Sequence, residues 1–209
     1  MRISLIGMAG AGKSYWSKKL AQHSFRRFCC DDLIAAKLAL DFTGPNGTTL
    51  EMGTWMGFPY EQHYRKHEST YLTYEIEVVI EILEYLEYHN RTAGENIVVD
   101  TTGSVIYTGE DILQKLCHYT RVIYLSTPPE VQEQLLNAYI SNPHPMLWRN
   151  WFTKKPGETN QEALARCYPQ LLSARERLYA RYSDVEINYY TRNKKGFSVI
   201  DFLRIVQGT

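Results

Sequence analysis

Eight residues near the N-terminus, Gly7-Met8-Ala9-Gly10-Ala11-Gly12-Lys13-Ser14, constrain this chain more than any others. They fit the pattern GxxxxGK[ST] and stand between a short apolar run, Arg2 to Ile6, and a helical pattern from Ser14 to His23 with Trp16 and Leu20 four apart. Strand, glycine-rich turn and helix in that order let consecutive backbone N–H groups curl around an anion, and the helix N-terminus adds its partial positive charge. In such a loop the Lys13 ammonium reaches the β- and γ-phosphates and the Ser14 hydroxyl ligates Mg2+. A nucleoside triphosphate is the expected ligand, with Gly7, Gly10, Ala11, Gly12, Lys13, Ser14 and the adjoining Tyr15 as its contact set.

The rest of the chain alternates strand and helix. A second strand is expected at Phe25 to Cys30, then a helix opening at Asp31 and Asp32, whose carboxylates suit an N-terminus, with Leu33 to Leu40 as its body. Thr70 to Tyr88 reads as a long amphipathic helix with Ile76, Val79, Ile80, Leu83 and Leu86 on its apolar stripe. Near-continuous apolar runs at Asn96 to Asp100 and Arg121 to Leu125 read as buried strands, with a helix at Gly109 to His118 between them. Helices at Glu130 to Ile140 and Gln161 to Tyr182, a strand at Val185 to Tyr189 and a closing helix at Phe197 to Val206 complete an α/β sandwich with a five-stranded parallel sheet. Asp100, ending the third strand, is placed to supply the second Mg2+ carboxylate; the run Asp100-Thr101-Thr102-Gly103 also suits an Asx turn capped by the same side chain.

Composition narrows the function classes. Lysine plus arginine number 23 against 23 acids, a balance that disfavours coating of nucleic acid or an anionic membrane. No apolar run approaches the roughly 18 residues of a spanning helix, and no leader segment is evident. Cys29, Cys30, Cys117 and Cys167 form no CxxC pair, which suits a reduced, cytoplasmic compartment. Length suits one domain, 1–209, and linker character is confined to Thr43 to Thr49 and Asn142 to Asn160.

Five segments together resemble the shikimate kinase family, small phosphate-loop kinases related to the nucleoside-monophosphate kinases. Besides the loop itself, Phe28 to Ile34 is similar to the family's aspartate-bearing turn. Glu61-Gln62-His63-Tyr64-Arg65-Lys66-His67-Glu68 is similar to its E-x-x-[FY]-R-x-x-E segment, and Asn142 to Leu147 to its Arg-Pro-Leu-Leu lid. Arg175 to Tyr179, ahead of Ser183-Asp184, is similar to its late arginine segment. The resemblance implies a three-layer sandwich in strand order 2-3-1-4-5, a substrate subregion at about 31–72, and a mobile lid at about 141–160. It implies a monomeric ATP- and Mg2+-dependent kinase that phosphorylates a hydroxyl of a small anionic acceptor. Asp31, or Asp32 by the alternative alignment, would assist deprotonation; Arg65 and Arg175 would hold the acceptor's carboxylate, Glu68 would orient Arg65, and Gly103 would face the substrate. Arg65 and Glu68 also suit an ordinary helix surface pair.

Departures from the family pattern bear on the acceptor. Cys29 or Cys30 stands where the family has a metal-side aspartate, leaving the metal to Ser14 and Asp100. The lid arginine is replaced by His144, so that Arg149, Lys154 or Lys155 would have to bring a cation to the transferring phosphate, and the family's nucleotide-facing arginine is Asn137. The aromatic segment Met52 to Tyr64 suits either an acceptor pocket built from Trp55, Phe58 and Tyr60 or packing of a satellite core. These departures leave open a kinase of a nucleoside, nucleotide or other metabolite, and a nucleotide-binding module without catalysis. His63 and His67 lack a third zinc ligand, and Arg192 to Lys195 reads as a solvated basic turn, although the resemblance implies that such a loop can also border the adenine and ribose.

Overall fold

The computed structural model describes residues 1–39, 51–89 and 94–208. Its elements run β1 (Arg2–Ile6), α1 (Lys13–Ala21), β2 (Phe25–Cys29), α2 (Cys30–Lys37), α3 (Met52–Met56), α4 (Tyr64–Tyr88), β3 (Asn96–Asp100) and α5 (Glu110–Tyr119). They continue with β4 (Arg121–Leu125), α6 (Pro129–Ser141), α7 (Asn160–Arg181), β5 (Val185–Ile187), α8 (Tyr189–Arg192) and α9 (Val199–Gln207). The five strands are all parallel in order β2-β3-β1-β4-β5, the order that the family resemblance implied.

That order creates the crevice in which a ligand can sit. Strand β1 leads through α1 towards β2 on one side, whereas its neighbour β3 leads across to β4 on the other, so the two loops part beyond the strands' C-terminal ends. The register pairs Leu5 with Asp100, which sets the glycine loop beside the turn Thr101 to Ser104. Both faces of the sheet are covered, and β1, β3 and β4 are buried almost throughout, as parallel strands under two helical layers require. No described helix is long and apolar enough to cross a membrane.

Several boundaries differ from the sequence reading. Helix α4 begins at Tyr64, six residues before the expected start. Its inward face continues through Tyr64, Glu68, Tyr71 and Glu75, polar or amphipathic residues that interrupt the apolar period without leaving the core. Further along, the buried stripe is Val78, Val79, Ile82, Leu83 and Leu86, while Ile80 is exposed. Helix α2 opens at Cys30, with Cys29 in the N-cap position and no side-chain cap, so the carboxylates of Asp31 and Asp32 lie inside the first turn. Strand β5 stops at Ile187, because the Asn188 side chain accepts from the Thr191 N–H and starts α8. The linker stretch Thr43 to Thr49 lies outside the described residues.

The segment expected to form a lid, about 141–160, is anchored at its middle in this structure. Met146, Leu147 and Trp148 are buried, and the Trp148 indole donates to the Tyr139 hydroxyl at 3.2 Å. The Tyr64 hydroxyl accepts from the Trp148 N–H and shares its one hydrogen between the Met146 carbonyl and the Glu68 carboxylate, clamping this strap to the start of α4. Helix α3 presses on it too: a Cβ at Gly53 would collide with the Pro143 carbonyl oxygen.

Candidate active site

The glycine loop closes on itself around Lys13. Gly7 holds φ at 143°, and a Cβ there would meet the Leu125 carbonyl oxygen at 2.7 Å, so only glycine lets β1 turn this tightly beside β4. The loop ends at Gly12, which precedes α1 in the left-handed region, and no acid occupies the first turn of that helix. The buried Lys13 ammonium donates to the carbonyls of Gly7 and Met8 at 2.9 and 2.8 Å. Burial lowers its pKa, against the opposing pull of Asp31 and Asp100.

A cavity of about 380 Å³ opens beside this loop. The loop side contributes Gly10, Gly12, Lys13, Ser14 and Tyr15, and the turn after β3 contributes Thr102 and Gly103. Asp31 from α2, Met52 from α3, Tyr71 from α4, and His144 with Pro145 from the strap close the other walls. Asp31 accepts from the Tyr71 hydroxyl at 3.3 Å; burial raises its pKa, and Lys13 opposes the rise. Asp32, by contrast, points outward and pairs loosely with Arg27 at 3.7 Å. Of the two aspartates, Asp31 is the one at the cavity.

Asp100 is held from two sides. Its Oδ2 accepts from the Ser17 hydroxyl at 2.8 Å and from the Arg27 guanidinium at 2.6 Å, while its buried Oδ1 has no partner. The side chain therefore does not cap an Asx turn; instead the Ser104 N–H donates to the Thr102 hydroxyl at 3.0 Å. The unpartnered Asp100 oxygen and the Ser14 hydroxyl are both hard oxygen donors, the chemistry that a cation such as Mg2+ takes.

The structure does not gather the expected acceptor cations at the cavity. Arg65 is exposed on the outer side of α4 and is not among the lining residues. Glu68 does not orient it: its carboxylate accepts from the Tyr64 hydroxyl at 2.8 Å and from the Arg149 N–H at 2.7 Å. Arg175 is buried behind Gly103, donating to the carbonyls of Gly103 and Leu147 at 3.2 and 2.6 Å, with its guanidinium 5.4 Å from the Tyr107 ring. Arg149 is exposed, its guanidinium 5.9 Å from the same ring, and Lys154 donates to Asn160. None of the three lid cations lines the cavity.

One feature escaped the sequence reading, and a second takes the less favoured of its two alternatives. Glu75, fully buried on α4, accepts from the hydroxyls of Thr102 and Ser104, and burial pushes its pKa up to about 7 against those two hydrogen bonds. An acid at an inward helix position carries no local signal of its own. The basic turn, read as a solvated loop, instead borders a groove on the far side of the glycine loop. There Tyr189, Arg192, Lys194 and Phe197 face Gly10, Ala11, Gly12 and Tyr15. In the aromatic segment, Trp55 stacks on His67 with ring centres 4.3 Å apart, and Phe58 packs edge-on against Tyr139. Only Met52 of that segment lines the cavity, so satellite packing is the better description. His67 accordingly belongs to that packing, and no three metal-ligating side chains cluster among the described residues.

No family model matches the chain, and no curated protein matches it. Solved structures do. A shikimate kinase from Acinetobacter baumannii, in complex with shikimate, superposes with a TM-score of 0.58 at 22% identity over 99% of this chain and 89% of its own. The shikimate kinase from Aquifex aeolicus gives 0.61 at 19% identity over 100% and 97%. A dephospho-CoA kinase from Campylobacter jejuni gives 0.54 at 13% identity over 99% and 98%. At these identities the likeness is one of fold, and the fold is the phosphate-loop kinase sandwich that shikimate kinases share.

Proposed function

We propose that this chain is an ATP- and Mg2+-dependent kinase that transfers the γ-phosphoryl group to a hydroxyl of a small acceptor held between α2, α4 and the strap. The observation that carries the reading is the shared cavity of Lys13 and Asp31, where a phosphate-binding ammonium and a carboxylate of raised pKa meet. The groove bordered by Tyr189, Arg192 and Phe197 adjoins the same loop and would take the base and ribose, with the phosphates crossing Gly10 to Ser14.

The chemistry follows from those positions. Lys13 would exchange its two loop carbonyls for the β- and γ-phosphates as the triphosphate enters. Asp31 would accept the acceptor's proton as the hydroxyl oxygen forms its bond to the γ-phosphorus and the bridge to the β-phosphate breaks, leaving ADP. Ser14 and Asp100 would hold Mg2+, which offsets the charge developing on the phosphates. His144 and Pro145, fixed by the buried residues behind them, would shield the reacting atoms from water.

The resemblance makes shikimate the first acceptor to assay, with a nucleoside or other metabolite as the alternative, and the protein is read as a cytoplasmic monomer acting on small molecules. A nucleotide-binding module without catalysis is the second reading, favoured by the lack of a lid cation among the described cavity residues. ADP release with a panel of acceptors tests both. Asp31→Asn is expected to lower kcat by about 10²- to 10⁴-fold with ATP affinity retained. Tight ATP binding with no turnover of any acceptor would establish the module instead.

A further inference from the structure

Four buried polar side chains run along one face of α4, and three walls of the cavity hang on them. Tyr64, Glu68, Tyr71 and Glu75 are spaced four, three and four apart, so they stand one above another down the helix. Tyr64 and Glu68 accept from the Trp148 and Arg149 N–H groups and hold the strap. One turn further, the Tyr71 hydroxyl reaches Asp31 at 3.3 Å. Glu75, the last of the row, takes the turn after β3.

That turn is gripped from both sides. Glu75 is 0% exposed, and its carboxylate accepts from the Thr102 hydroxyl and, at 2.7 Å, from the Ser104 hydroxyl. The two hydroxyl oxygens stand 3.0 Å apart, and the Ser104 N–H donates to that of Thr102 at 3.0 Å, so the polar ring spans Gly103. From α7 the Arg175 guanidinium and the Tyr179 hydroxyl donate to the Gly103 carbonyl. Gly103 in turn rests on the glycine loop, where a Cβ on it would come within 3.2 Å of the Ala9 nitrogen. Ala9, Thr102 and Gly103 all line the cavity shared by Lys13 and Asp31.

Stability alone does not call for an acid in this place. Burying a carboxylate is costly, and an apolar side chain of similar size is often neutral or stabilising in its stead. The carboxylate adds direction. Its two oxygens fix two hydroxyls, and with them the backbone between, against a loop that the phosphates would cross.

We infer that Glu75 is a positioning residue for phosphoryl transfer at this cavity, acting through Thr102 and Ser104 to hold the Gly103 turn in register with the glycine loop and Asp31. This rests on the reading of the cavity as a kinase site. A misplacement of about 1 Å between reacting groups can cost about 10²-fold in rate. The loss falls on kcat, because Lys13 and the loop N–H groups that would bind the nucleotide stay in place.

Three variants test this. Glu75→Leu fills the volume without hydrogen bonds. Glu75→Gln accepts from Thr102 with its oxygen and donates to Ser104 with its amide. Ser104→Ala removes one hydroxyl and decides alone where Glu75→Leu folds poorly. ADP release with ATP, Mg2+ and the best acceptor among shikimate and a set of nucleosides gives kcat and KM, and titration calorimetry gives the affinity for ADP with Mg2+. Glu75→Leu is expected to lower kcat about tenfold or more and Ser104→Ala about threefold, with KM for ATP and ADP affinity within about twofold of the parent. Glu75→Gln should return to within about threefold of the parent kcat. Unchanged kcat in Glu75→Leu and Ser104→Ala, nucleotide affinity that falls as far as kcat, or Glu75→Gln no better than Glu75→Leu overturns the inference and leaves the kinase reading standing. A parent that releases no ADP with any acceptor sinks the kinase reading, and amide hydrogen exchange in the complex with ADP and Mg2+ then judges Glu75. Exchange at the Ser104 N–H about tenfold faster in Glu75→Leu than in the parent and Glu75→Gln supports the hold on the turn; equal rates overturn it.

Discussion

Glu75, behind the turn after β3, and His144, on the strap, have pKa values shifted in opposite directions. Glu75 faces Asp31 and Arg175, and its folded pKa of about 7 lies above the ordinary 4.5. Between those values the folded state holds a proton that the unfolded state has released, so this contribution to stability is full below pH 4.5 and lost as the pH rises to 7. The shift corresponds to about 3 kcal/mol. His144 faces Lys13 and Arg175, and its folded pKa of about 4 lies below the ordinary 6.5. Here the unfolded state binds the extra proton, so stability falls as the pH drops from 6.5 towards 4. The two slopes oppose each other between pH 4.5 and 6.5. Glu75→Gln should leave a protein that gains stability from pH 5 to 7, and His144→Asn one that loses it, each by about 2 kcal/mol. Urea unfolding at the two pH values measures this; parallel profiles for the two variants would refute the assignment.

At the scale of elements, the strap between α6 and α7 is held by close fit. Helix α3 meets it where Gly53 has no room for a side chain, and α4 meets it through Tyr64 and Glu68. Gly53→Ala is expected to destabilise the protein by about 1–3 kcal/mol, because the obstacle is the Pro143 backbone and cannot swing aside. Thr54→Ala, on the exposed side of the same short helix, should stay within about 0.5 kcal/mol of the parent. Thermal melting of the pair checks the contact, and equal melting temperatures would remove it. Elements of this kind were unequally legible in the sequence. The strands were readable from their apolar runs, and β1, β3 and β4 match the expected boundaries. The start of α4 was hidden because its inward residues are tyrosine and glutamate, whose burial depends on partners far away in sequence. The resemblance implied a lid at about 141–160, and its proline-containing stretch has no periodicity that could have signalled the burial of Met146 to Trp148.

For the whole molecule, zero net charge conceals a mixed crevice. Lys13, Arg192 and Lys194 flank the glycine loop, and the charges of Asp31, Asp100, Glu75 and Arg175 all act on Lys13 from around it. Nucleotide binding should therefore stabilise the fold. ADP with Mg2+ at 100 times its Kd adds about 2.7 kcal/mol, a rise of roughly 5–10 °C in Tm for a chain of this length. Lys13→Ala should abolish the shift whatever its own melting temperature. An unchanged shift would remove Lys13 from the nucleotide site.

Local pattern alone determined the glycine loop between strand and helix, the alternation of strand and helix, and the parallel sheet, since each is written in contiguous residues whose spacing obeys backbone geometry. Asp31 was also within reach, as one of two adjacent acids at the start of a helix. Tertiary structure decided which of the two faces the cavity, because a rotation of about 100° per residue sends Asp31 inward and Asp32 to solvent. It likewise decided the fates of Arg65 and Arg175. Their spacing matches a carboxylate clamp, but a guanidinium binds whatever carbonyls or anions the packed chain brings to it. In this fold Gly103 and Leu147 take Arg175, and Arg65 is left in water.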